Sequence, residues 1–316
     1  MNAPAWNSRS IGSRLQHGIF YAIIRFLGRT PAYGLLFFVV LWYSLRPLTR
    51  SRSRPYLRRR FPEAGPFMRF VHRLRLNWNF GLTLVDRTAA GILGELRITA
   101  SPGDEKALTD ALSEEKGLIL LTAHTGCWQT AMAGLDSLNC AVNVVMHRAP
   151  GDIDLQYFEH QGVDAPFRII DPQGFLGGSA EMLAALQKKE ILCLMGDRVF
   201  GHERNTVRVS FLGGTVRLPC APYRLASATG APVLVFFSRR TGPGRAVHEV
   251  AEIIRVPAGL GRRAEDCAPY AGRFAAALEA QARAVPYQFF NFFNMWEDDD
   301  EHQGRAQAGP DRRAES

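Results

Sequence analysis

No pair of the five cysteines in this 316-residue sequence has C-x-x-C spacing; Cys127, Cys140, Cys193, Cys220 and Cys267 are scattered and odd in number. That argues against a zinc site or a disulfide framework. Such residues read as small buried side chains in a reducing compartment, so the bulk of the chain is expected to face the cytoplasm. No apolar run reaches the ~18 residues that would signal a membrane-crossing helix, which argues against a polytopic membrane protein. No G-x-S-x-G occurs, so the nucleophile elbow of the serine hydrolases is missing. Acid is scarce at one end: residues 1 to 75 hold fourteen Arg, no Lys and a single acid, Glu63. That segment carries about +13 and the remainder about −5, within a formal net charge of +8.

What is present is ordinary for a globular protein. The hydrophobic fraction is 47% and the charged fraction 22%, which excludes a wholly disordered, collagen-like or disulfide-scaffold chain. The length allows one large domain or two small ones with a sizeable core.

The basic end has its own pattern. Ile19, Phe20, Ile23, Ile24 and Leu27 recur at helical spacing beside Arg14, Arg25 and Arg29. Ala32 to Leu45 then runs without a charge. As a helix it would be about 21 Å long, short of a hydrocarbon core of about 30 Å. A secretory signal fits poorly, because Arg46 to Arg60 is densely basic and offers no small-residue cleavage site. The physical reading is a helix lying in a membrane interface, with Arg50, Arg52, Arg54, Arg58, Arg59 and Arg60 on anionic headgroups. A buried core helix followed by a solvated basic loop is the alternative. No nucleic acid is expected, since the arginines flank an apolar run instead of alternating with stacking aromatics.

From about residue 104 the elements alternate. Helices are expected at Glu105–Lys116, Trp128–Leu135, Asp154–Gln161, Ser179–Lys189, Pro222–Thr229 and Tyr270–Val285. Strands are expected at Gly117–Ala123, Ala141–Met146, Phe167–Ile170, Ile191–Met195, Val207–Phe211, Pro232–Phe237 and Val247–Val256. Apolar strands separated by helices predict an α/β fold with a mainly parallel central sheet covered by helices. The expected organisation is a membrane-associated segment over 1–60, one domain over 61–296 and a disordered tail over 297–316.

Ligands of such sheets bind beyond the carboxyl ends of the strands. His124 directly follows the strand GLILLTA, and Asp197 and Arg198 directly follow ILCLM. His147, after AVNVVM, is a weaker candidate of the same kind. Gly126 permits a tight turn or close backbone approach within His124-Thr125-Gly126-Cys127-Trp128-Gln129.

These blocks resemble those of the lipid A biosynthesis (lauroyl/myristoyl) acyltransferases of the lysophospholipid acyltransferase superfamily. AHTGCWQ is similar to that family's His-x-x-x-x-acid block. MGDRVFG with FLGGTVRLPCAPYRLASATGAPVLVFF resembles its Asp-Arg turn, Phe-x-Gly-Gly element and Pro-rich segment, and YQFFNFFNMW its aromatic end. The resemblance spans roughly residues 5 to 296. It implies a glycerolphosphate acyltransferase-like fold with an N-terminal membrane-associated helical segment. It implies transfer of a fatty acyl group from acyl carrier protein or coenzyme A to a hydroxyl or amine of a membrane lipid at the inner membrane. His124 would be the general base, and no metal or organic cofactor is required. An acyl-enzyme on Cys127 is not implied, because that slot need not be Cys.

One residue departs from the pattern: Gln129 stands where the family has an acid. A carboxylate fixes the imidazole tautomer and stabilises the imidazolium, and an amide supplies no charge. Three readings remain open. Asp197 serves His124 and Gln129 only positions; the reaction is less demanding; or the protein binds lipid without efficient catalysis. On a continuous helix, positions five apart are offset by about 140°, so 124 and 129 share a face only if His124 precedes the helix. Arg198 and Arg217 are phosphate-binding candidates, for the donor's phosphopantetheine arm or the acceptor headgroup. Gly126, Trp128, Gly213 and Gly214 complete the substrate-binding candidates, although Gly213 and Gly214 also read as a turn. Of Phe289, Phe290, Phe292, Phe293 and Trp296, half are expected in the core and the rest at a lipid-facing entrance.

Overall fold

The computed structural model describes residues 13–131, 134, 140–147, 159–160, 162, 165–199 and 205–297. Four helices come first: α1 (Arg14–Leu27), α2 (Arg29–Leu45), α3 (Pro47–Arg60) and α4 (Pro66–Leu93). Ser13 caps α1: its hydroxyl accepts from the Gln16 backbone N–H, and the Gln16 side-chain oxygen accepts from the Ser13 N–H. Gly28, at φ +83°, breaks the path between α1 and α2. Every fourth residue of α2 (Ala32, Leu36, Val40, Ser44) is buried, in a cluster with Ile24 of α1 and Leu82, Val85 and Ala89 of α4. Its other face leaves Phe37, Phe38, Trp42 and Leu45 exposed. Among the described residues no single helix is long and apolar enough to cross a membrane; α2 and α3, bent by 84°, pass only as a pair.

The basic segment 46–60, which the alternative reading left as a solvated loop, is helical from Pro47 to Arg60. Ser53, Tyr56 and Leu57 form the buried face of α3, and Tyr56 Oη donates to the Pro286 carbonyl at 2.6 Å. Arg50, Arg52, Arg54 and Arg58 face outward. Arg59 and Arg60 do not lie with them: Arg59 sits over the Trp296 ring, and Arg60 donates to the carbonyls of Ala282 and Arg283. Those two cations bind protein groups.

The remaining elements are β1 (Arg97–Ala100), α5 (Pro102–Ser113), β2 (Leu118–Thr122), α6 (Trp128–Ala131), β3 (Val142–Val145), β4 (Phe167–Ile170), α7 (Ser179–Gln187), β5 (Ile191–Met195), β6 (Thr206–Phe211), β7 (Gly214–Pro219), α8 (Ala221–Thr229), β8 (Val233–Gly242), β9 (Arg245–Ile254) and α9 (Ala268–Ala284). Seven strands form one sheet in the order β1-β9-β8-β2-β5-β3-β4. Every neighbouring pair is parallel except the β8–β9 hairpin. This is the α/β architecture the alternating pattern predicts. Ile119, Leu121, Leu192, Leu194, Val233 and Val235 bury one face of the sheet, and Leu118, Leu120, Val142, Val144 and Leu234 the other. Strands covered on both faces read as continuous apolar runs for this reason.

Helix α4 and strands β1 and β7 have no counterpart among the expected elements. The helix expected at Asp154–Gln161 lies, apart from residues 159 and 160, outside the described residues, as does the expected tail beyond Glu297. β6 and β7 form a separate hairpin. Its two turn residues, Leu212 and Gly213, have φ of +48° and +72°, the backbone a two-residue hairpin turn demands.

Candidate functional site

The register of β2 and β5 pairs Thr122 with Met195. His124 and Asp197 each stand two residues further along, at the carboxyl edge of the sheet. There Asp197 receives His124 twice. The ring Nδ1 lies 3.0 Å from Oδ1 and 3.1 Å from Oδ2, and the backbone N–H of His124 donates to Oδ2 at 3.1 Å. An ionised carboxylate only accepts, so the contact assigns the proton to Nδ1 and leaves Nε2 as the basic nitrogen. The two side chains are 13% and 3% exposed.

Burial is the main reason the His124 pKa falls below its ordinary value; Asp197 opposes that fall and the Arg198 charge adds to it. Burial alone would raise the Asp197 pKa, but the imidazole and Arg198 outweigh it and hold the carboxyl below its usual range. Arg198 is itself lowered to about 10 by burial, against the pull of Asp197, and its guanidinium lies over Phe293, 5.5 Å from the ring centre.

The loop after His124 is fixed by its backbone. Thr125 N–H donates to Ala123, Gly126 N–H to Gln288, and Cys127 N–H to Ser238, each at 2.7 Å, and the Phe290 N–H returns a bond to the His124 carbonyl. Those three amides are therefore engaged by the protein. Gly126 has φ +53°, and a Cβ there would stand 1.7 Å from the Ser238 carbonyl oxygen. Only glycine permits this approach. Trp128 opens α6 with its ring 5.3 Å from His124 and 5.8 Å from Phe290.

Gln129 faces a different partner. Its amide oxygen accepts from Arg87 Nη1 of α4 at 2.8 Å, and Arg87 is buried. The side chain in the family's acid position is thus tied to a cation on α4, while Asp197 occupies the Nδ1 side of the imidazole. Arg87 was missed in the sequence because α4 was missed.

The other candidates are spread further. His147 and Asp171 follow β3 and β4 and form a second imidazole–carboxylate contact of 3.1 Å on the same edge of the sheet. Arg217 lies on the β6–β7 hairpin, ion-paired with Glu297, which also holds Arg208. Arg208 and Arg217 line a cleft of about 350 Å³ with Glu265 and Ala268. No contact joins Arg217 to His124. Gly213 makes the hairpin turn, and Gly214 admits Arg59 and Trp296, whose atoms a Cβ would meet at 2.3 and 2.8 Å. Phe289, Phe290 and Trp296 are core residues, with Trp296 Nε1 donating to the Phe211 carbonyl. Phe292 and Phe293 are half-buried. Among the described residues no three His, Cys, Asp or Glu side chains gather to hold a metal.

A mostly parallel α/β sheet with an imidazole–carboxylate pair beyond the carboxyl ends of two central strands belongs to the class of open α/β folds, in which that edge is the usual place for a ligand. Residues 80–298, more than half of the chain, match the family model of the bacterial lipid A biosynthesis acyltransferases, and the chain belongs to that family. It is also similar to a phosphatidylinositol mannoside acyltransferase of Mycobacterium tuberculosis (strain ATCC 25618 / H37Rv), 29% identical over 128 residues, which are 40% of this chain and 40% of the relative. A protein of the same description from strain CDC 1551 / Oshkosh matches to the same extent. The similarity thus spans two fifths of the length of these curated relatives.

Proposed function

We propose that this chain moves a fatty acyl group from a thioester, carried by acyl carrier protein or coenzyme A, to a hydroxyl or amine of a glycolipid or other membrane lipid. The observation that carries the reading is the doubly held His124–Asp197 pair. His124 Nε2 takes the proton of the acceptor O–H or N–H as that atom attacks the thioester carbonyl. The C–S bond breaks, and the imidazolium returns its proton to the departing thiolate. Asp197 holds the tautomer and stabilises the imidazolium. Arg198 binds a phosphate of the donor arm or of the acceptor headgroup. No cofactor takes part. The alternative of a lipid-binding protein without efficient catalysis has Gln129 as its support; Asp197 on Nδ1 counts against it, and acyl transfer by the purified protein would remove it.

The acceptor class is supported by family membership and by the similarity to proteins named phosphatidylinositol mannoside acyltransferase. A peripheral or monotopic place on the cytoplasmic side of the inner membrane is supported by Phe37, Phe38, Trp42, Leu45 and Leu48, which are exposed next to the outward arginines of α3. Apolar side chains rimmed by cations suit an anionic lipid surface. The acidic surface of acyl carrier protein suits the same basic charge.

The test is transfer of a labelled acyl group from acyl carrier protein, and separately from coenzyme A, onto total membrane lipid, with mass spectrometry of the product. Wild type is expected to make a product, and His124→Ala and Asp197→Asn to lose it while still binding vesicles. Wild type inactive with both donors, or His124→Ala above about a tenth of wild type, defeats the reading.

A further inference from the structure

The His124 loop is clamped between two segments: Ser238 of β8 takes the Cys127 N–H, and Gln288 takes the Gly126 N–H. These two segments are in turn locked to each other. The Arg240 N–H donates to Gln288 Oε1 at 2.9 Å, and Gln288 Nε2 donates to the Arg240 carbonyl at 3.0 Å. The Arg240 side chain has a different partner, its Nε standing 2.7 Å from Asp86 Oδ2.

Asp86 is buried in α4 and gathers three groups. Beside Arg240 it takes Arg29 Nε at 3.3 Å and the hydroxyl of Tyr33. Tyr33 also receives Arg240 Nη2 at 3.3 Å. Arg29 and Tyr33 belong to the first turns of α2, and Arg29 is further held by the Glu95 carbonyl at 2.9 Å. The next residue of α4, Arg87, binds Gln129 at the far end of the catalytic loop. One carboxylate thus stands where the helical layer, β8 and the His124 loop meet.

We infer that Asp86 is a positioning residue for His124, transmitting the seat of α2 and α4 to the catalytic loop through Arg240 and Gln288. A contiguous chain of hydrogen bonds and ion pairs is a physical route for coupling, and its existence is decided by energetic non-additivity. A misplacement of ~1 Å in a base costs up to ~10²-fold in rate. The rate arm of the test rests on the acyl-transfer reading above; the spectroscopic arm stands without it.

The experiment compares full-length wild type with Asp86→Asn, Gln288→Ala, the double variant and Tyr33→Phe. The kinetic readout is kcat and KM for the acyl thioester. The spectroscopic readout is the imidazole nitrogen NMR signal of His124 in uniformly labelled protein, assigned by its loss in His124→Ala. Each of the first two variants is expected to lower kcat about ten-fold or more, with KM within about two-fold. The double variant should lose no more than the worse single one, because both cut one route. Both singles should move the His124 signal and leave that of His147 unchanged. Tyr33→Phe, which removes one hydroxyl, should produce a smaller change of the same kind. Losses that multiply in the double variant, or a His124 signal unmoved in cooperatively melting variants, overturn the inference. If Asp86→Asn does not fold, Gln288→Ala and Tyr33→Phe decide by the same signals. If wild type transfers no acyl group, the functional reading fails alone and the NMR comparison still decides this one.

Discussion

Replacing Asp197 by Asn and Gln129 by Glu separates the two positions that can supply an acid to His124. Asp197 accepts from the ring at 3.0 Å and from the backbone N–H at 3.1 Å, using both oxygens. Asparagine has one oxygen and one NH₂. If the oxygen keeps the backbone bond, the NH₂ faces Nδ1 and selects the tautomer with its proton on Nε2, which removes the base. The comparable acid-to-amide change in serine proteases costs ~10⁴ in rate, or about 5 kcal/mol of transition-state stabilisation. Gln129→Glu puts a carboxylate against Arg87, now 2.8 Å from the amide oxygen. That makes the bond charge-assisted and stabilises the fold by on the order of 1 kcal/mol. It leaves the imidazole with the same partner, so the rate should stay within about three-fold of wild type. The assay is single-turnover acyl transfer with the enzyme in excess over the thioester, alongside thermal unfolding. A Gln129→Glu enzyme more than ten-fold faster, or an Asp197→Asn enzyme within ten-fold of wild type, would refute the assignment of Asp197 as the imidazole's partner.

Further outcomes are expected for the pH dependence, the loop glycine and the arginines. Because the His124 pKa lies below 6.5, the imidazole remains an unprotonated base as pH falls through 6.5, and the acid limb of kcat/KM should appear only at lower pH; a limb above 6.5 contradicts the burial argument. The same depression makes the folded state lose stability as pH drops below the unfolded value, since the unfolded chain then binds the extra proton. Gly126→Ala should abolish transfer and lower the melting temperature, because its Cβ would meet the Ser238 carbonyl at 1.7 Å; wild-type melting would show that the loop can move aside. Changing Arg50, Arg52 and Arg54 to Gln should weaken sedimentation with anionic vesicles by up to ~1 kcal/mol per charge without altering melting. Arg59→Gln and Arg60→Gln should instead lower stability by on the order of 1 kcal/mol each, through the Trp296 ring and the α9 carbonyls; unchanged vesicle binding by the first set removes α3 from the lipid contact.

The central strands were legible because both their faces are buried, so Leu118–Thr122 and Ile191–Met195 are unbroken apolar runs that could be placed to within a residue or two. The elements that escaped lack that signature for identifiable reasons. α4 has an amphipathic period, but it also turns His72, Asn77, Asp86 and Arg87 inward, and these positions do not read as part of an apolar face. β1 is a four-residue edge strand, and β7 begins with Gly and ends with Pro, residues that read as punctuation. The site was legible in proportion. His124 and Asp197 stand out because each follows a readable strand. The engagement of Gln129 by Arg87, and the whole Asp86 cluster, depend on α4 and were invisible with it.

The departure at position 129 follows from how a parallel sheet delivers side chains. An acid five residues after the histidine must be brought round by a helix whose 3.6-residue turn does not favour the match, so its approach depends on where α6 begins. An acid on the neighbouring strand needs only the register. Strands lie about 4.8 Å apart, and Thr122 opposite Met195 puts His124 and Asp197 at the same height beyond the edge. A slip of one residue would send Asp197 to the other face of the sheet, and Gly196, where a Cβ would meet the Phe274 ring at 2.6 Å, leaves no room for one. The dyad is therefore held by the most strongly specified part of the fold, the central pairing of two buried strands. With the imidazole served from β5, position 129 is under no demand for charge toward His124. Its side chain is free to answer Arg87, and an amide suffices for that.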